Sequence, residues 1–142
     1  MVYFDTSFLV PLFQEEATTA RIERFMRRVP AGDAAISHWT KVEFSSLLAR
    51  DVRMGNLMDD DARSAKAKFE AVIGEAFVVL LPDIEDFALA TKFIEHHQTG
   101  LRGGDALHLA IAANRNLRKI FSLDRAFVKA GRILGLPVDH GI

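Results

Sequence analysis

Short apolar runs alternate with longer amphipathic segments along the chain. The apolar runs are rich in β-branched and aromatic residues, which favour strands, and they lie at residues 2–4, 34–36, 77–81, 119–122 and 137–138. Helical spacing of apolar positions predicts helices at residues 8–13, 17–29, 38–54, 62–75, 84–97, 105–114 and 125–134. This alternation predicts an α/β fold, a three-layer α/β/α sandwich around a mostly parallel sheet.

One predicted helix is too apolar to lie on a surface. The stretch from Leu101 to Asn114 has apolar residues on nearly every side, so its helix should be central. Gly103 and Gly104 are expected to loosen the chain just before it, which places Asp105 in the first turn. A carboxylate there is either an ordinary helix-start acid or an acid aimed at a pocket, and only its companions can decide.

Length and composition narrow the class of protein. The 142 residues are enough for one domain, 1–142. The formal charge of −1 gives no overall basicity that would indicate nucleic-acid binding. The absence of cysteine excludes disulfides, thiolate metal sites and a cysteine nucleophile. The first 13 residues are interrupted by Asp5 and lack a basic start, so we expect neither signal peptide nor membrane span, and a cytoplasmic location.

Four acids are expected to meet at one edge of the sheet. Asp5 and Asp124 follow predicted strands, while Glu43 and Asp105 lie near the starts of helices that leave the same edge. Each alone could be a cap or a solvated acid. Together they would repel one another unless a cation lay among them or one carboxyl kept its proton.

The donor types of this acidic group favour one kind of ion. Carboxylate oxygens without cysteine suit Mg²⁺, with Mn²⁺ as a substitute, and are poor for Zn²⁺. Mg²⁺ usually completes its coordination with phosphate oxygens of the substrate. It can also activate water for hydrolysis of the phosphodiester. The sequence therefore predicts phosphodiester hydrolysis, with a metal held by Asp5, Glu43 and Asp105 and with Asp124 at or near a second ion.

Other residues near the expected edge are weaker candidates. Ser7, Arg102, Arg125 and Lys129 could contact an RNA substrate, although surface bases on helices are commonly just solvated. His108 lies one helical turn after Asp105 and is interpreted as a core histidine rather than a metal ligand. A basic amphipathic helix is expected to carry a patch at an unknown distance from the acids, formed by Arg21, Arg24, Arg27 and Arg28.

Two other functions remain open from the residues alone. A phosphatase with an aspartyl nucleophile also places an acid after its first strand, but it usually has a second aspartate where this chain has Ser7. A non-catalytic binding module, such as a receiver-like domain, would use the acidic pocket for phosphorylation or an ion. A nucleotide-binding Rossmann domain is disfavoured because neither of the glycine-rich phosphate motifs occurs.

The order of four motifs resembles the PIN domain family. They are Asp-Thr-Ser at residues 5–7, Glu43 in a helix, Gly-Asp-Ala-Leu-His-Leu-Ala at 104–110 and Ser-Leu-Asp-Arg-Ala-Phe at 122–127. More narrowly, the chain is similar to VapC-type toxins of toxin–antitoxin systems, over essentially its whole length.

The resemblance implies a PIN fold and a Mg²⁺- or Mn²⁺-dependent endoribonuclease. It also implies a homodimer and a neutralising VapB-like antitoxin. By position, the family's acidic set, both catalytic and metal-binding, corresponds to Asp5, Glu43, Asp105 and Asp124. Thr6 or Ser7 matches the hydroxyl beside the first aspartate, where the implied role is to orient a carboxylate.

Overall fold

The fold is built on a five-stranded sheet, seen in a computed structural model that describes residues 1–142. Its strands are β1 Val2–Phe4, β2 Ala34–Ser37, β3 Val78–Leu80, β4 Ile120–Phe121 and β5 Val138–Asp139. They lie in the order β3-β2-β1-β4-β5, and every neighbouring pair is parallel. Because the strands are parallel, their carboxyl ends all open at one edge of the sheet.

Seven α-helices connect and cover the strands. They are α1 Thr6–Leu9, α2 Thr19–Met26, α3 His38–Arg53, α4 Asp59–Ala76, α5 Ile84–Glu95, α6 Gly103–Asn114 and α7 Arg125–Ile133. Short 3-10 turns at Val10–Leu12 and His97–Thr99 continue α1 and α5. None of the helices combines the length and the apolar composition that crossing a bilayer requires.

Two hydrophobic cores lie on opposite faces of the sheet. Alternate residues of β1 point to opposite sides, as strand geometry requires, so Tyr3 belongs to one core and Phe4 to the other. The Tyr3 core is completed by α5, α6 and α7, and the Phe4 core by α1 to α4. This arrangement confirms the predicted three-layer α/β/α sandwich.

Helix α6 is the buried helix that the sequence predicts, with residues 106–112 all buried. Its start differs from the prediction, because Gly103 and Gly104 form its first turn instead of a loop before it. Asp105 still lies in that first turn. The glycines are tolerated there because α6 is held by packing, chiefly against α5, rather than by helix propensity alone.

A buried carboxylate fastens α5 to the end of α6. Asp86, which is fully buried, accepts hydrogen bonds from Asn114 Nδ2 at 2.8 Å and from Arg115 Nη1 at 2.9 Å. Burial opposes ionisation of Asp86, but these bonds and one with the Asp83 backbone outweigh it and keep its pKa below the usual range.

Several local predictions are wrong in informative ways. The strand predicted at residues 77–81 is shorter, Val78–Leu80, and it forms an edge of the sheet. Helix α4 begins at Asp59, so the run of three aspartates forms its first turn, where it complements the helix dipole. Val42, which the helical spacing of α3 predicts to face the core, is 55% exposed because it lies at the rim of a cavity.

Candidate active site

One cavity at the carboxyl edge of the sheet contains all four acids singled out from the sequence. It has a volume of about 650 Å³ and is lined by Asp5, Glu43, Asp105 and Asp124 together with nine other residues. Asp5 follows β1, Glu43 lies in the second turn of α3, Asp105 is in the first turn of α6, and Asp124 caps α7. Four carboxylates from distant segments therefore share one concave surface.

Asp5 is the most buried of these acids, with 5% of its surface exposed. Its Oδ1 accepts hydrogen bonds from Ser7 Oγ at 2.8 Å and from the Phe8 backbone N–H at 3.1 Å. Its Oδ2 accepts one from Ser122 Oγ at 3.0 Å. Burial raises the pKa of Asp5 to about 6, even though these bonds favour the ionised form.

Ser122 joins Asp5 to the segment that carries Asp124. The residue opposite Phe4 on the neighbouring strand is Phe121, so the residues that follow each strand, Asp5 and Ser122, lie side by side. Ser122 Oγ also accepts a hydrogen bond from the Asp124 backbone N–H at 3.0 Å. Sequence reasoning missed this serine. Its position at a predicted strand end was a signal, but only the strand order shows that it neighbours Asp5.

Glu43 is held by hydrogen bonds to one of its two oxygens. His108 Nε2 lies 2.6 Å from Oε2, and the Thr6 hydroxyl donates to the same atom. Burial opposes ionisation of Glu43, but these two hydrogen bonds and the nearby histidine outweigh it and lower its pKa. An ionised Glu43 can only accept, so Nε2 of His108 must carry the proton.

His108 is a buried histidine with both ring nitrogens engaged. Its Nδ1 lies 2.7 Å from the Tyr3 hydroxyl, which in turn bonds to Ser37 Oγ at 2.9 Å. Burial keeps the pKa of Tyr3 far above its usual value, so this hydroxyl stays neutral. The buried chain from Ser37 through Tyr3 to His108 therefore positions Glu43. The interpretation of His108 as a core residue agrees with this placement.

Asp105 and Asp124 differ in how they are restrained. Burial raises the pKa of Asp105, and the negative charges of Asp124 and Glu43 raise it further. Asp124 is exposed, and its Oδ1 is occupied by the Ala126 and Phe127 backbone N–H groups at 2.7 and 3.2 Å. Asp105 is thus the acid whose pKa the neighbouring negative charges raise.

The predicted substrate contacts are only partly in the cavity. Ser7 and Arg102 line it, whereas Arg125 and Lys129 are exposed on α7 and do not. Arg50 and Trp39, which were not predicted as contacts, line it as well. Trp39 lies four residues before Glu43 and Arg50 seven after it, so the predicted helix already placed both on the face of Glu43, a signal that sequence reasoning did not use.

The donors present fit a hard divalent cation. All four acids offer carboxylate oxygens, and a positive ion would offset the burial and the negative charges of Asp124 and Glu43 that raise the pKa of Asp105. No three acidic or histidine side chains are already arranged around a common point, so an ion would have to draw them together. Gly104 leaves the space for this, since a β-carbon there would lie 2.7 Å from Glu43 Oε1.

Comparison with known families gives an independent result. The family model of the PIN domain matches residues 2–133 of the chain. Comparison with curated proteins finds none that matches this chain.

Solved structures of similar fold cover almost the whole chain. VapC20 of Mycobacterium tuberculosis, a toxin that cleaves the sarcin–ricin loop, is 20% identical over 92% of this chain and 95% of its own, with a TM-score of 0.73. FitAcB of Neisseria gonorrhoeae is 16% identical over 99% and 98%, with a TM-score of 0.75. VapBC2 of Rickettsia felis, solved with a promoter DNA fragment, is 15% identical over 98% of both chains, with a TM-score of 0.67. These similarities establish a shared fold.

Proposed function

The chain belongs to the PIN domain family, and from that premise we propose that it is a metal-dependent endoribonuclease acting in the cytoplasm as the toxin of a VapBC-type pair. The observation that carries the proposal is the meeting of four carboxylates, from four distant segments, in one cavity. The family match favours a nuclease over an aspartyl-nucleophile phosphatase or a receiver-like module.

In the proposed mechanism, Asp5, Glu43 and Asp105 would hold Mg²⁺ or Mn²⁺, and Asp124 would lie at or near a second ion. When bound, the metal polarises the phosphodiester and makes water more acidic. Ser7 and Ser122 fix the orientation of Asp5, while Thr6 and His108 hold one oxygen of Glu43 and leave Oε1 for the cavity.

Cationic and donor groups at the cavity wall are suited to the phosphate backbone. Arg50 and Arg102 line the cavity and can pair with phosphate oxygens. The indole N–H of Trp39 is buried beside Glu43 and helps to lower the pKa of that carboxyl, although it lies outside normal hydrogen-bond geometry.

Purified protein is expected to cleave RNA with Mg²⁺ or Mn²⁺ and to lose this activity in EDTA. Cleavage at saturating RNA and limiting metal should also fall as the pH is lowered through about 6, because Asp5 must lose its proton to bind a cation. The measurement is the initial rate of cleavage of a labelled RNA between pH 5 and 8, at several metal concentrations.

Two outcomes would count against this proposal. Cleavage that survives EDTA would remove the metal from the chemistry. If the protein binds Mn²⁺ but cleaves no RNA in any condition, the binding-module alternative is favoured.

An antitoxin is proposed as the partner of the cavity face. Several of the similar structures are VapBC or FitAB assemblies, two of them bound to DNA. By analogy, a VapB-like protein would cover the acidic cavity of this chain and neutralise it. A short antitoxin-like reading frame beside this one, whose product co-purifies with the chain and stops cleavage, is the expected finding.

A homodimer is proposed through the outer face of α5. Three large apolar side chains are exposed there or just before it, Leu81 at 72%, Ile84 at 84% and Phe87 at 56%. If two copies of α5 pair antiparallel about a two-fold axis near Ala88, Glu85 of one copy faces Lys92 of the other, twice. This charge complementarity favours a second copy of the chain as the occupant.

Replacing Phe87 by glutamate is expected to convert the dimer to a monomer. Burying a phenylalanine contributes about 1.5–3 kcal/mol per copy, so the dimer dissociation constant should rise by at least ~100-fold. Light scattering after size-exclusion chromatography measures the mass. Met58→Glu is the control, because Met58 is 73% exposed and lies outside α5. Retention of the dimer by Phe87→Glu would reject this surface.

A further inference from the structure

Three arginines of α2 and its C-terminal end lie around one depression outside the acidic cavity. The depression has a volume of about 170 Å³ and is lined by Arg21, Arg24, Phe25, Arg28, Gly141 and Ile142. All three arginines are exposed, and none is in an ion pair with a carboxylate of the chain. Arg27, the fourth arginine of this segment, lines a different groove with Glu23.

This basic face lies one side-chain layer away from Asp5. The Phe25 ring packs against Phe8, with 5.2 Å between ring centroids, and against Phe121, with 4.8 Å. The Phe8 backbone N–H donates to Asp5, and Phe121 immediately precedes Ser122, which also donates to Asp5. The basic face is therefore joined through the buried Phe8 and the half-buried Phe121 to the segments that hold Asp5.

The chemistry of the face suits a nucleic-acid strand. Arg21 and Arg24 lie one turn apart on α2, and Arg28 follows two residues after its last residue, Met26; all three line the same depression. Three guanidinium groups around one depression can pair with about three successive phosphates of a strand. Phe25, half-buried between the arginines, offers a ring edge near which a base can pack.

The charge of the face is local. The whole chain has a formal charge of −1, so the three unpaired guanidinium groups are not part of a generally basic surface. Like charges one turn apart on a helix destabilise it slightly, and a bound polyanion would remove that repulsion.

We propose that Arg21, Arg24 and Arg28 form an exosite that binds the backbone of single-stranded RNA outside the acidic cavity. The proposal rests on the proposed ribonuclease function. It extends the surface that binds the RNA substrate beyond the acidic cavity. The exosite contributes affinity and position, and the acids of the cavity do the chemistry.

The test measures RNA binding separately from cleavage. In the full chain carrying Asp105→Asn, the affinity for a labelled single-stranded RNA is measured by fluorescence anisotropy at several salt concentrations. Each phosphate contact contributes about 0.7 to the slope of log K against log salt for single strands. The triple variant R21Q/R24Q/R28Q should therefore lose about 2 from the slope and bind at least ~10-fold more weakly at low salt.

Matched single variants keep the test informative. Arg24→Gln should lower the slope by about 0.7, whereas Arg27→Gln, the same charge change at a residue that lines a different groove, should leave it unchanged. In the cleaving protein, the triple variant should raise KM for RNA and leave kcat unaltered. Circular dichroism melting checks that each variant is folded.

The outcomes separate the exosite from the enzyme. If wild-type protein cleaves RNA and the triple variant keeps the wild-type slope and KM, the exosite is rejected. If the RNA slope is unchanged but affinity for the antitoxin falls, the face binds an acidic protein segment and the proposal is again rejected. If no RNA is cleaved but the slope falls as expected, the arginines bind RNA, and it is the proposed nuclease function that fails.

Discussion

Replacing Asp105 by asparagine is expected to lower kcat/KM for RNA by at least ~100-fold, because a metal ligand contributes several kcal/mol and each 1.36 kcal/mol is tenfold in rate. The stability of the folded protein should not decrease. Burial and the negative charges of Asp124 and Glu43 raise the pKa of Asp105. Its ionised form is therefore unfavourable in the protein without metal. The measurements are steady-state cleavage kinetics, Mn²⁺ affinity by calorimetry and thermal melting.

The asparagine variant should melt no lower than wild type in EDTA, and it should lose the stabilisation that added Mn²⁺ gives to wild type. Asp59→Asn is the matched control, since Asp59 is also an acid in the first turn of a helix but lies in α4, outside the cavity. Full cleavage by Asp105→Asn would remove this residue from the chemistry. A large fall in melting temperature would assign it a structural role.

Replacing Gly104 by alanine is expected to reduce cleavage by roughly 10–100-fold, the range seen when the support of a metal ligand is disturbed. The added β-carbon would lie 2.7 Å from Glu43 Oε1 and 3.3 Å from Trp39 Nε1. Glu43 would have to swing away from the cavity and from Thr6 and His108. Cleavage rate and metal affinity measure the effect.

Gly103→Ala is the control for this change. Gly103 is the preceding residue of the same helical turn, and a β-carbon there has no atom within 4 Å. It should keep activity and stabilise the protein by up to about 1 kcal/mol, because alanine favours a helix over glycine. Equal activity of the two alanine variants would show that the position of Glu43 does not depend on the space at Gly104.

The central part of the fold was predictable from the sequence because its signals are local and strong. Val2–Phe4 is short, apolar and rich in strand formers, and residues 106–112 are too apolar for any surface helix. Edge positions were harder. The run at 77–81 has the strongest strand composition, yet β3 lies at an edge, because strand order depends on long-range pairing that residue types do not reveal.

The acids of the cavity were predictable because each follows a strand or begins a helix at the same edge of a parallel sheet. The groups that hold them were not. Ser122 reaches Asp5 because β1 and β4 are neighbours, and His108 reaches Glu43 because the N-terminal parts of α3 and α6 meet at the carboxyl edge of the sheet. Both contacts join residues far apart in sequence, so only the assembled tertiary structure defines them.

Ser7 and Ser122 donate hydrogen bonds to Asp5, and these bonds affect which positions a mutational scan of this chain would identify as essential. A selection that scores survival of cells expressing the variants would recover substitutions at both serines beside those at the acids. The resulting map would assign more positions to RNA hydrolysis than actually touch the RNA. Metal titration of each survivor distinguishes the two groups, since serine variants should regain activity at high metal concentration and acid variants should not.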